Sequence, residues 1–369
     1  MLGSMQSVFG QPPWRCESNS TAASMCILGA QLAPVVFKLG NREVSPFHIA
    51  PWCEETIDAP PIIQVLRGDF FCLPFGGNST AYGDEEHPLH GETANREWTL
   101  IENSKGRIVC ELDLEIRNGR CRREVFVKND ETAVYVASSV QGMSGPMCFG
   151  NHAMLRFRTP GLVSTSEFEF GQVFPGEFDI PAQGGYSSLK PGAKFQRLEV
   201  VPMANGSVAD LSLYPAREGF EDLVQLVARS EGIGWNSVVF PEEGFLWYCL
   251  RNRRTLPHTI LWHSNGGRHY APWSGRHKGV LGIEDVNAYF HYGLAESASS
   301  NPFAVEGFST AMDFTPESTV RIPTIMGVCE VGPNAEHVES IQIQDEGIEI
   351  QLRSGEVVSP SLDLDFLQL

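Results

Sequence analysis

Between His258 and Gly293 the chain gathers residue types that can hold a sugar or move a proton. Trp262 and Trp273 offer aromatic faces, Arg268 offers a fixed charge, and Glu284 stands in the apolar run VLGIEDV. A carboxyl group in such a run must be hydrogen-bonded or have a raised pKa, so it is either a general base or half of a structural ion pair. Glycines in this stretch predict a strand, a pocket-lining loop and a second strand that ends at Glu284.

A histidine near the middle of the chain is the second candidate for proton transfer. His152 follows a glycine-rich approach and opens an expected strand from Ala153 to Phe157. A histidine in that position either is a satisfied structural group or acts as an acid near neutral pH.

The histidines also raise the question of a metal. His87 and His90 in the sequence HPLH are spaced as two ligands could be, with His269 or His277 as a third. No neighbouring carboxylate or histidine motif completes a ligand set. We therefore expect neither a metal nor a cofactor, and a metal-dependent enzyme is the minor alternative.

Composition limits the class of protein. The 369 residues include 36 Gly and 24 Pro, only 20% are charged, and the net charge is −18. This charge argues against a nucleic-acid or anionic-membrane partner, and no apolar run is long enough to span a membrane. The N-terminal residues lack the pattern of a signal peptide, and nine scattered cysteines fit a reducing compartment. We expect a cytoplasmic protein.

Alternating patterns predict an all-β fold. Residues 108–140 read as three strands joined by turns at Asn118-Gly119 and Asn129-Asp130, and residues 341–352 read as another hairpin. Only residues 220–230 read as a helix, with a short helical turn within residues 285–297. We therefore predict a large antiparallel β-sandwich or barrel, formed by a single domain over residues 1–369 in which residues 1–25 are an N-terminal extension.

Short motifs in a fixed order resemble those of one superfamily. LRGDFFCLPFGGN (66–78) and HPLHGETANREWTL (87–100) look like its Arg-Gly-Gly and His-Gly-Phe-Ala-Arg…Trp segments. GNHAMLRF looks like its Asn-His strand, and VLGIEDV looks like its glutamate strand. The chain thus resembles the aldose 1-epimerase superfamily, the galactose-mutarotase-like proteins, with the hexose-phosphate 1-epimerase branch as the nearest. It departs from the pattern at Glu92-Thr93, where the family has Phe-Ala.

The resemblance implies a β-supersandwich with a pocket on the concave face of one sheet. It also implies an isomerase that interconverts sugar anomers, with Glu284 as base and His152 as acid. Groups on opposite sides of the sugar would take a proton from the C1 hydroxyl and give one to the ring oxygen. The residues expected to bind the sugar are Arg67, His90, Arg96, Trp262, Arg268 and Trp273.

One departure keeps a second function open. The family's middle aspartate, which holds sugar hydroxyls, has no clear match here, and Asp210 and Asp222 are the candidates. The protein is therefore either an isomerase or a non-catalytic sugar-binding or sensor protein. The expected partner is a small sugar or sugar derivative. A phosphate or carboxylate on it would need an arginine clamp, for which Arg268, Arg276 and the cluster of Arg251, Arg253 and Arg254 are candidates. The sequence leaves the oligomeric state open.

Overall fold

The computed structural model describes residues 8–369. Residues 1–7, which belong to the N-terminal stretch considered for a signal peptide, lie outside this range. The first thirteen strands are β1 (Pro13–Glu17), β2 (Thr21–Cys26), β3 (Leu32–Leu39), β4 (Arg42–Val44), β5 (Phe71–Cys72), β6 (Thr99–Ser104), β7 (Arg107–Leu114), β8 (Gly119–Phe126), β9 (Ala133–Gln141), β10 (Gly145–Met147), β11 (Phe149–Arg156), β12 (Gly161–Thr165) and β13 (Phe170–Val173).

The second part of the chain is equally rich in strands. These are β14 (Lys194–Phe195), β15 (Val201–Pro202), β16 (Val208–Ala209), β17 (Leu213–Tyr214), β18 (Phe220–Val227), β19 (Ile233–Phe240), β20 (Phe245–Asn252), β21 (His258–Asn265), β22 (Val280–Asn287), β23 (Met312–Phe314), β24 (Thr319–Glu330), β25 (Val338–Gln344), β26 (Gly347–Leu352) and β27 (Val357–Val358). Short helices are α1 (Pro61–Gln64), α2 (Gly91–Asn95), α3 (Leu294–Ser297) and α4 (Pro302–Val305), with 3-10 turns at Pro181–Gln183 and Leu364–Leu367. Among the described residues, no helix is long and apolar enough to cross a membrane.

Two large antiparallel sheets form the body of the molecule. One has nine strands in the order β17-β12-β19-β20-β24-β9-β8-β7-β6, and the other has seven in the order β14-β13-β18-β21-β22-β11-β5. Their facing sides share one apolar core. The predicted all-β antiparallel sandwich with few short helices is therefore confirmed.

The alternating segments form the hairpins that the sequence predicts. β7, β8 and β9 are consecutive neighbours in the nine-stranded sheet, and β8 begins at Gly119 of the predicted Asn-Gly turn. β25 and β26 pair as the expected C-terminal hairpin. Ile341 and Ile350 of this hairpin belong to a second apolar cluster with Leu250 and Ile325 of the nine-stranded sheet. The C-terminal hairpin thus covers part of the sheet face that points away from the seven-stranded sheet.

The predicted helix over residues 220–230 is wrong. Residues Phe220–Val227 form β18, which lies between β13 and β21 and is buried along nearly its whole length. A strand covered on both faces lacks the alternation that marks a half-buried strand, so the spacing of Leu223, Leu226 and Val227 resembled a helical face.

Three further boundaries differ from the expectations. Part of the expected N-terminal extension belongs to the fold, because β1 and β2 continue through β3 into a four-stranded sheet. β22 does not end at Glu284 but runs on to Asn287. The helical turn expected within residues 285–297 is confined to α3 at the end of that segment.

A buried polar network joins the two sheets behind β22. Asp285 Oδ1 lies 2.9 Å from Arg251 Nη1 and accepts hydrogen bonds from Asn236 Nδ2 and Thr259 Oγ1, each at 2.8 Å. Arg251 and Asn236 belong to the nine-stranded sheet, so Asp285 points between the sheets. Successive side chains of a strand point to opposite faces, and Glu284 therefore points away from the nine-stranded sheet.

We expect the substitution Arg251→Met to lower the free energy of unfolding by about 3–5 kcal/mol, because it leaves the Asp285 carboxylate buried without its cation. Urea titration followed by circular dichroism measures the loss. The control is Arg229→Met, which removes an exposed ion pair with Glu169 and should cost less than about 1 kcal/mol. Equal losses in the two variants would contradict a structural role for the buried pair.

Candidate active site

The two residues expected to transfer protons lie directly opposite each other on neighbouring strands. β11 and β22 run antiparallel with His152 paired to Glu284. His152 Nε2 is 3.2 Å from Glu284 Oε1, and both side chains are almost fully buried. The sequence analysis placed these groups on opposite sides of the sugar. That geometry is corrected here, because the two side chains stand side by side on one face of the seven-stranded sheet.

A cavity of about 350 Å³ opens above this pair. Its floor comes from the seven-stranded sheet, through His152, Trp262 and Glu284, and its walls come from loops. Ligand pockets commonly measure about 300–1,000 Å³, so the volume suits a small molecule such as a monosaccharide. Glu284 Oε2 and His152 Nδ1 are buried and have no hydrogen-bond partner among the described residues.

Burial shifts both groups of the pair toward their neutral forms. It raises the pKa of the Glu284 carboxyl well above its usual value, and Arg268 opposes this shift. Burial also lowers the pKa of the His152 imidazole to about 3, and His291 adds to this shift. The physical reason is the same for both groups, since a low-dielectric site disfavours whichever form is charged. Burial therefore favours a protonated carboxyl next to a neutral imidazole.

Two more histidines line the cavity beside the pair. His90 Nδ1 accepts a hydrogen bond from the Gly76 amide at 3.3 Å, and His90 Nε2 lies 3.1 Å from His291 Nε2. Burial comes first among the causes that lower both pKa values, that of His291 to about 4. His90 was expected at the site, whereas His291 was not assigned a role. The sequence shows His291 only as one polar residue in an aromatic segment.

Backbone geometry fixes the position of His90. It adopts φ +58°, a left-handed conformation that is uncommon for a residue with a Cβ atom. Gly91 follows with φ +77°, and a Cβ atom there would stand 1.9 Å from the Leu73 carbonyl oxygen. Only glycine fits at position 91. Because glycine is present there, the chain can make the turn that places His90 at the cavity.

Aromatic rings hold the His152 imidazole in place. The Phe70 ring stacks on it with centroids 4.6 Å apart, and Trp262 meets it edge-on at 5.8 Å. Trp273 contacts Trp262 edge-on at 5.9 Å, and both tryptophans line the cavity as the sequence analysis expected. The packed rings restrict His152 to one orientation toward Glu284.

Arg268 also lines the cavity, and a carboxylate that the sequence did not single out neutralises it. Arg268 Nε lies 3.1 Å from each Asp179 carboxylate oxygen, and the Tyr270 hydroxyl donates to Asp179 at 3.2 Å. Burial opposes the charge of Arg268, but Asp179 and Glu221 outweigh this and raise its pKa. Asp179 therefore orients two cavity side chains, Arg268 and Tyr270.

Glu221 supports the floor of the cavity from β18. Its carboxylate accepts hydrogen bonds from Trp262 Nε1 at 2.9 Å, Ser264 Oγ at 3.0 Å and the Gly267 amide at 3.1 Å. Burial raises its pKa to about 7, while Arg268 and the hydrogen bonds oppose the shift. Because residues 220–230 were predicted to form a helix, Glu221 was not predicted as a site residue. A carboxylate inside an apolar segment was the signal that could have revealed it.

Two residues expected to bind the sugar lie elsewhere, and these expectations are corrected. Arg67 donates to the backbone oxygens of Val65, Val8 and Phe9, which takes up its guanidinium group. Arg96 forms ion pairs with Glu92 and Glu115 at 2.8 and 2.5 Å. Neither arginine lines the cavity.

The two candidates for the middle aspartate also have other tasks. Asp210 caps a turn by accepting from the amide and hydroxyl of Ser212. Asp222 accepts from the amide of Ser188 and pairs with Arg217 at 3.2 Å. Both lie outside the cavity lining, and Asp179 is the aspartate that reaches the site through Arg268.

The histidines considered for a metal site do not form one cluster. His87 Nε2 contacts Glu85 at 2.9 Å, whereas His90 contacts His291. His277 stacks on Trp262 at 5.4 Å. Over residues 8–369 no group of three His, Cys, Asp or Glu side chains has the spacing of a metal site.

Comparison with known proteins identifies the fold. No family model matches the sequence, and no curated protein matches it. Among solved structures, the chain is similar to a proposed aldose 1-epimerase from Escherichia coli K12, with TM-score 0.60, 11% identity, and coverage of 86% of this chain and 99% of that one. A galactose mutarotase-like protein from Lactobacillus casei gives TM-score 0.56, 11% identity, and coverage of 86% and 100%.

A galactose mutarotase related enzyme from Lactobacillus acidophilus gives TM-score 0.53, 14% identity, and coverage of 87% and 98%. These likenesses extend over nearly the whole of each solved chain. The protein therefore has the fold of the galactose-mutarotase-like proteins. At such identities the likeness concerns the fold, and the chemistry must be argued from the cavity.

We expect acid to destabilise the protein, because the folded protein buries several histidines in their neutral form. The pKa values of His48 and His152 are lowered to about 3, and those of His258 and His291 to about 4, with burial as the largest cause. In the unfolded chain each returns to about 6.5. The unfolded state then binds more protons, so the free energy of unfolding falls as pH drops from 6.5 to 4. The raised pKa values of Asp69, Asp179, Glu221 and Glu284 oppose this trend. These four carboxyls are fewer than the seven buried histidines with lowered pKa values among residues 8–369, which also include His90, His263 and His277.

Urea titrations at several pH values measure the effect, and His48→Phe isolates one contribution. Both ring nitrogens of His48 lack hydrogen-bond partners among the described residues. Its replacement should reduce the pH slope of the unfolding free energy by at most about 1.4 kcal/mol per pH unit. The control Ile343→Ala, at an exposed position of the C-terminal hairpin, removes no titratable group and should leave the slope unchanged. An unchanged slope in His48→Phe would contradict the assignment.

We expect tryptophan emission to change with pH near 7, because protonation of Glu221 removes the charge that holds Trp262 Nε1. Glu221→Gln keeps the shape of the side chain and should abolish this transition. Emission spectra between pH 5.5 and 8.5 test the expectation, with Glu218→Gln as a control at an exposed neighbour paired with Lys278. A transition that persists in Glu221→Gln would show that another group causes it.

Proposed function

We propose that the protein is a carbohydrate-binding isomerase of the aldose 1-epimerase type, which interconverts the anomers of a sugar by acid–base catalysis. The observation that carries the proposal is the placement of the Glu284 carboxyl beside the His152 imidazole on the floor of the cavity. The fold shared with galactose-mutarotase-like proteins supports it.

The chemistry fits two adjacent groups on one wall. Ring opening removes a proton from the C1 hydroxyl and delivers one to the ring oxygen. Both oxygens are bonded to C1, so neighbouring side chains can reach both. His152 Nε2 accepts the hydroxyl proton, Glu284 donates to the ring oxygen, and the bond between C1 and the ring oxygen breaks to leave an open aldehyde. Rotation about the C1–C2 bond and reversal of the two transfers then give the other anomer.

This assignment exchanges the roles that the sequence resemblance implied. With the pKa of Glu284 raised and that of His152 lowered, the neutral pair starts with Glu284 as the acid and His152 as the base. Transfer of the single proton from Glu284 to His152, which lie 3.2 Å apart, gives a carboxylate and an imidazolium. In that state Glu284 is the base and His152 is the acid, as the resemblance implied. The pair needs one shared proton in either case.

Other cavity residues are suited to hold the sugar. His90 and His291 offer ring nitrogens to its hydroxyls, and Arg268 offers guanidinium nitrogens that Asp179 leaves unused. Trp262 and Trp273 offer aromatic faces to the C–H surface of the sugar. We assign these residues to binding and only His152 and Glu284 to proton transfer.

One observation favours a second function, a sugar-binding or sensor protein without turnover. Neither Asp210 nor Asp222 reaches the cavity, so the hydroxyl-holding aspartate expected from the resemblance is replaced by the Asp179–Arg268 pair. Such a protein would bind sugars in the same cavity and leave the rate of anomer exchange unchanged.

We place the protein in the cytoplasm. All nine cysteines lie within the described residues and are free thiols, and all but Cys53 are buried. Unpaired cysteines in this number are typical of a reducing compartment.

Glu284→Gln should reduce the rate of anomer exchange by about 10²–10⁴-fold, because an amide cannot supply the proton. Polarimetry and NMR saturation transfer on freshly dissolved α-glucose and α-galactose measure the rate. His152→Asn should act similarly. The control Glu330→Gln changes an exposed glutamate of β24 and should retain full activity.

Circular dichroism checks that each variant is folded. Full activity in folded Glu284→Gln would refute the proposed mechanism. Sugar binding by the wild-type protein without any acceleration of exchange would favour the sensor function.

A further inference from the structure

The cavity has a polar floor and apolar walls. His152 and Glu284 stand on the floor, with His90, His291 and Arg268 near them. The walls include a different class of side chain, contributed by the segment around α1 and by the residue before His90. These apolar lining residues are Ala59, Pro60, Ile62, Ile63, Leu66 and Leu89.

The apolar wall is held in a fixed shape by buried backbone contacts. The Ile62 amide donates to Asn95 Oδ1 at 3.2 Å, and the Ile62 carbonyl accepts from Gln31 Nε2 at 3.2 Å. The Ile63 carbonyl accepts from Trp52 Nε1 at 2.7 Å. Because α1 has these partners, its side chains cannot easily turn away to admit a polar group.

The opposite wall of the cavity, which includes Trp273, contacts Trp52 and Glu55 in the segment that precedes α1. Trp273 meets Trp52 edge-on with centroids 4.9 Å apart, and Arg276 Nη2 lies 2.8 Å from Glu55 Oε2. Between these contacts, Ala271 and Pro272 add further apolar surface to the lining. Apart from Asp58 and Tyr270, both walls thus present carbon atoms to the ligand, and the contacts between the walls make the apolar end preformed.

The charges around the cavity are balanced without a ligand. Among residues 8–369, Arg268 is the only Arg or Lys in its lining, and Asp179 already pairs with it. Burial favours the neutral form of Glu284, and the rim adds an exposed acid, Asp58. Arg276 is paired with Glu55 and lies outside the lining, so an arginine clamp for a phosphate is not formed. A phosphate or carboxylate on the sugar would enter without an unpaired cation.

A hydroxyl-rich sugar fits the floor but not the walls. A hydroxyl turned toward the α1 segment loses its water and finds no donor or acceptor among the six apolar side chains there. A methyl or methylene group in the same place buries apolar surface instead. The ligand that satisfies both ends has a free anomeric centre and a carbon-rich substituent away from it.

We propose that the cavity takes an uncharged aldose that carries an apolar group, a deoxy, O-alkyl or O-acyl function, at a position remote from C1. The reactive end of this assignment rests on the proposed anomer exchange at His152 and Glu284. The apolar end rests on the composition and rigidity of the loop walls alone.

Matched sugar pairs test the assignment. Galactose is compared with 6-deoxygalactose, glucose with 6-deoxyglucose and with its 3-, 4- and 6-O-methyl ethers, and glucose 6-phosphate represents a charged sugar. NMR saturation transfer gives kcat/KM for anomer exchange, and tryptophan emission gives the Kd of each sugar. At least one apolar derivative should exceed its parent by about 10-fold or more, whereas the phosphate should bind more weakly than glucose.

The two measurements separate this assignment from the proposed function. Tighter binding of an apolar derivative without exchange of any sugar would support the present assignment and refute the isomerase. Exchange with equal or better activity on every parent sugar, or a preference for the phosphate, would refute the present assignment and leave the isomerase intact.

A variant of the apolar wall gives a second readout. Ile63→Thr replaces the ethyl branch of the side chain with a hydroxyl, so the preference for the apolar derivative should fall to within about 3-fold of its parent. Ile343→Thr, at an exposed position of the C-terminal hairpin, is the matched control and should retain the preference. An unchanged preference in folded Ile63→Thr would show that the α1 segment does not contact the substituent.

Discussion

The antiparallel register between β11 and β22 places His152 directly opposite Glu284, and the candidate chemistry depends on it. A shift by one residue would turn a strand's side chains to the opposite face. Asp285 would then enter the cavity, and Glu284 would point between the sheets. The pairing of Asp285 with Arg251 on the other face opposes this shift, because it would leave a buried cation unpaired. The Asp285–Arg251 pair between the sheets therefore fixes which residue of β22 points into the cavity on the other face.

The same burial that stabilises the sandwich prepares the candidate pair for proton transfer. Removal from water raises the pKa of Glu284 and lowers that of His152, so burial favours the neutral form of each group. If Glu284 or His152 alone were charged, it would need a counterion in the cavity, and Arg268 is already paired with Asp179. The pair can instead share one proton internally, which keeps the floor neutral while the proton moves. This arrangement links the fold's core packing to the proposed proton transfer.

The sequence predicted the parts of the fold that carry local signals. Alternation and the Asn118-Gly119 turn led to β7, β8 and β9, because a half-buried strand and a two-residue hairpin each leave a pattern in neighbouring residues. The same method failed for β18, where burial on both faces removes the pattern. It also placed Arg67 at the sugar, since a motif shows which residue is present but not that Val8 and Phe9 bind its guanidinium group.

The site shows a similar division. His152 and Glu284 were found through short motifs, whereas Asp179, Glu221 and His291 came into view only when distant segments met in three dimensions. Asp179 is 89 positions from Arg268 along the chain, and no spacing rule connects them. These partners decide which charges are free, so the electrostatics of the cavity could not be predicted even where its candidate acid and base could.

Reaction and selectivity thus depend on different parts of the chain. The strands that hold His152 and Glu284 are constrained by register and by the core, whereas the walls come from loops whose side chains can change without disturbing the sheets. In the proposed mechanism Glu284 needs an opposite His152 and a low-dielectric floor. In the proposed ligand assignment, Ile63 and Leu89 select the rest of the ligand. Sheet positions accept many apolar residues of similar size, so sequence identity falls to 11–14% while the fold persists. The walls, rather than the floor, are therefore where this chain should differ in ligand from other proteins of the same fold.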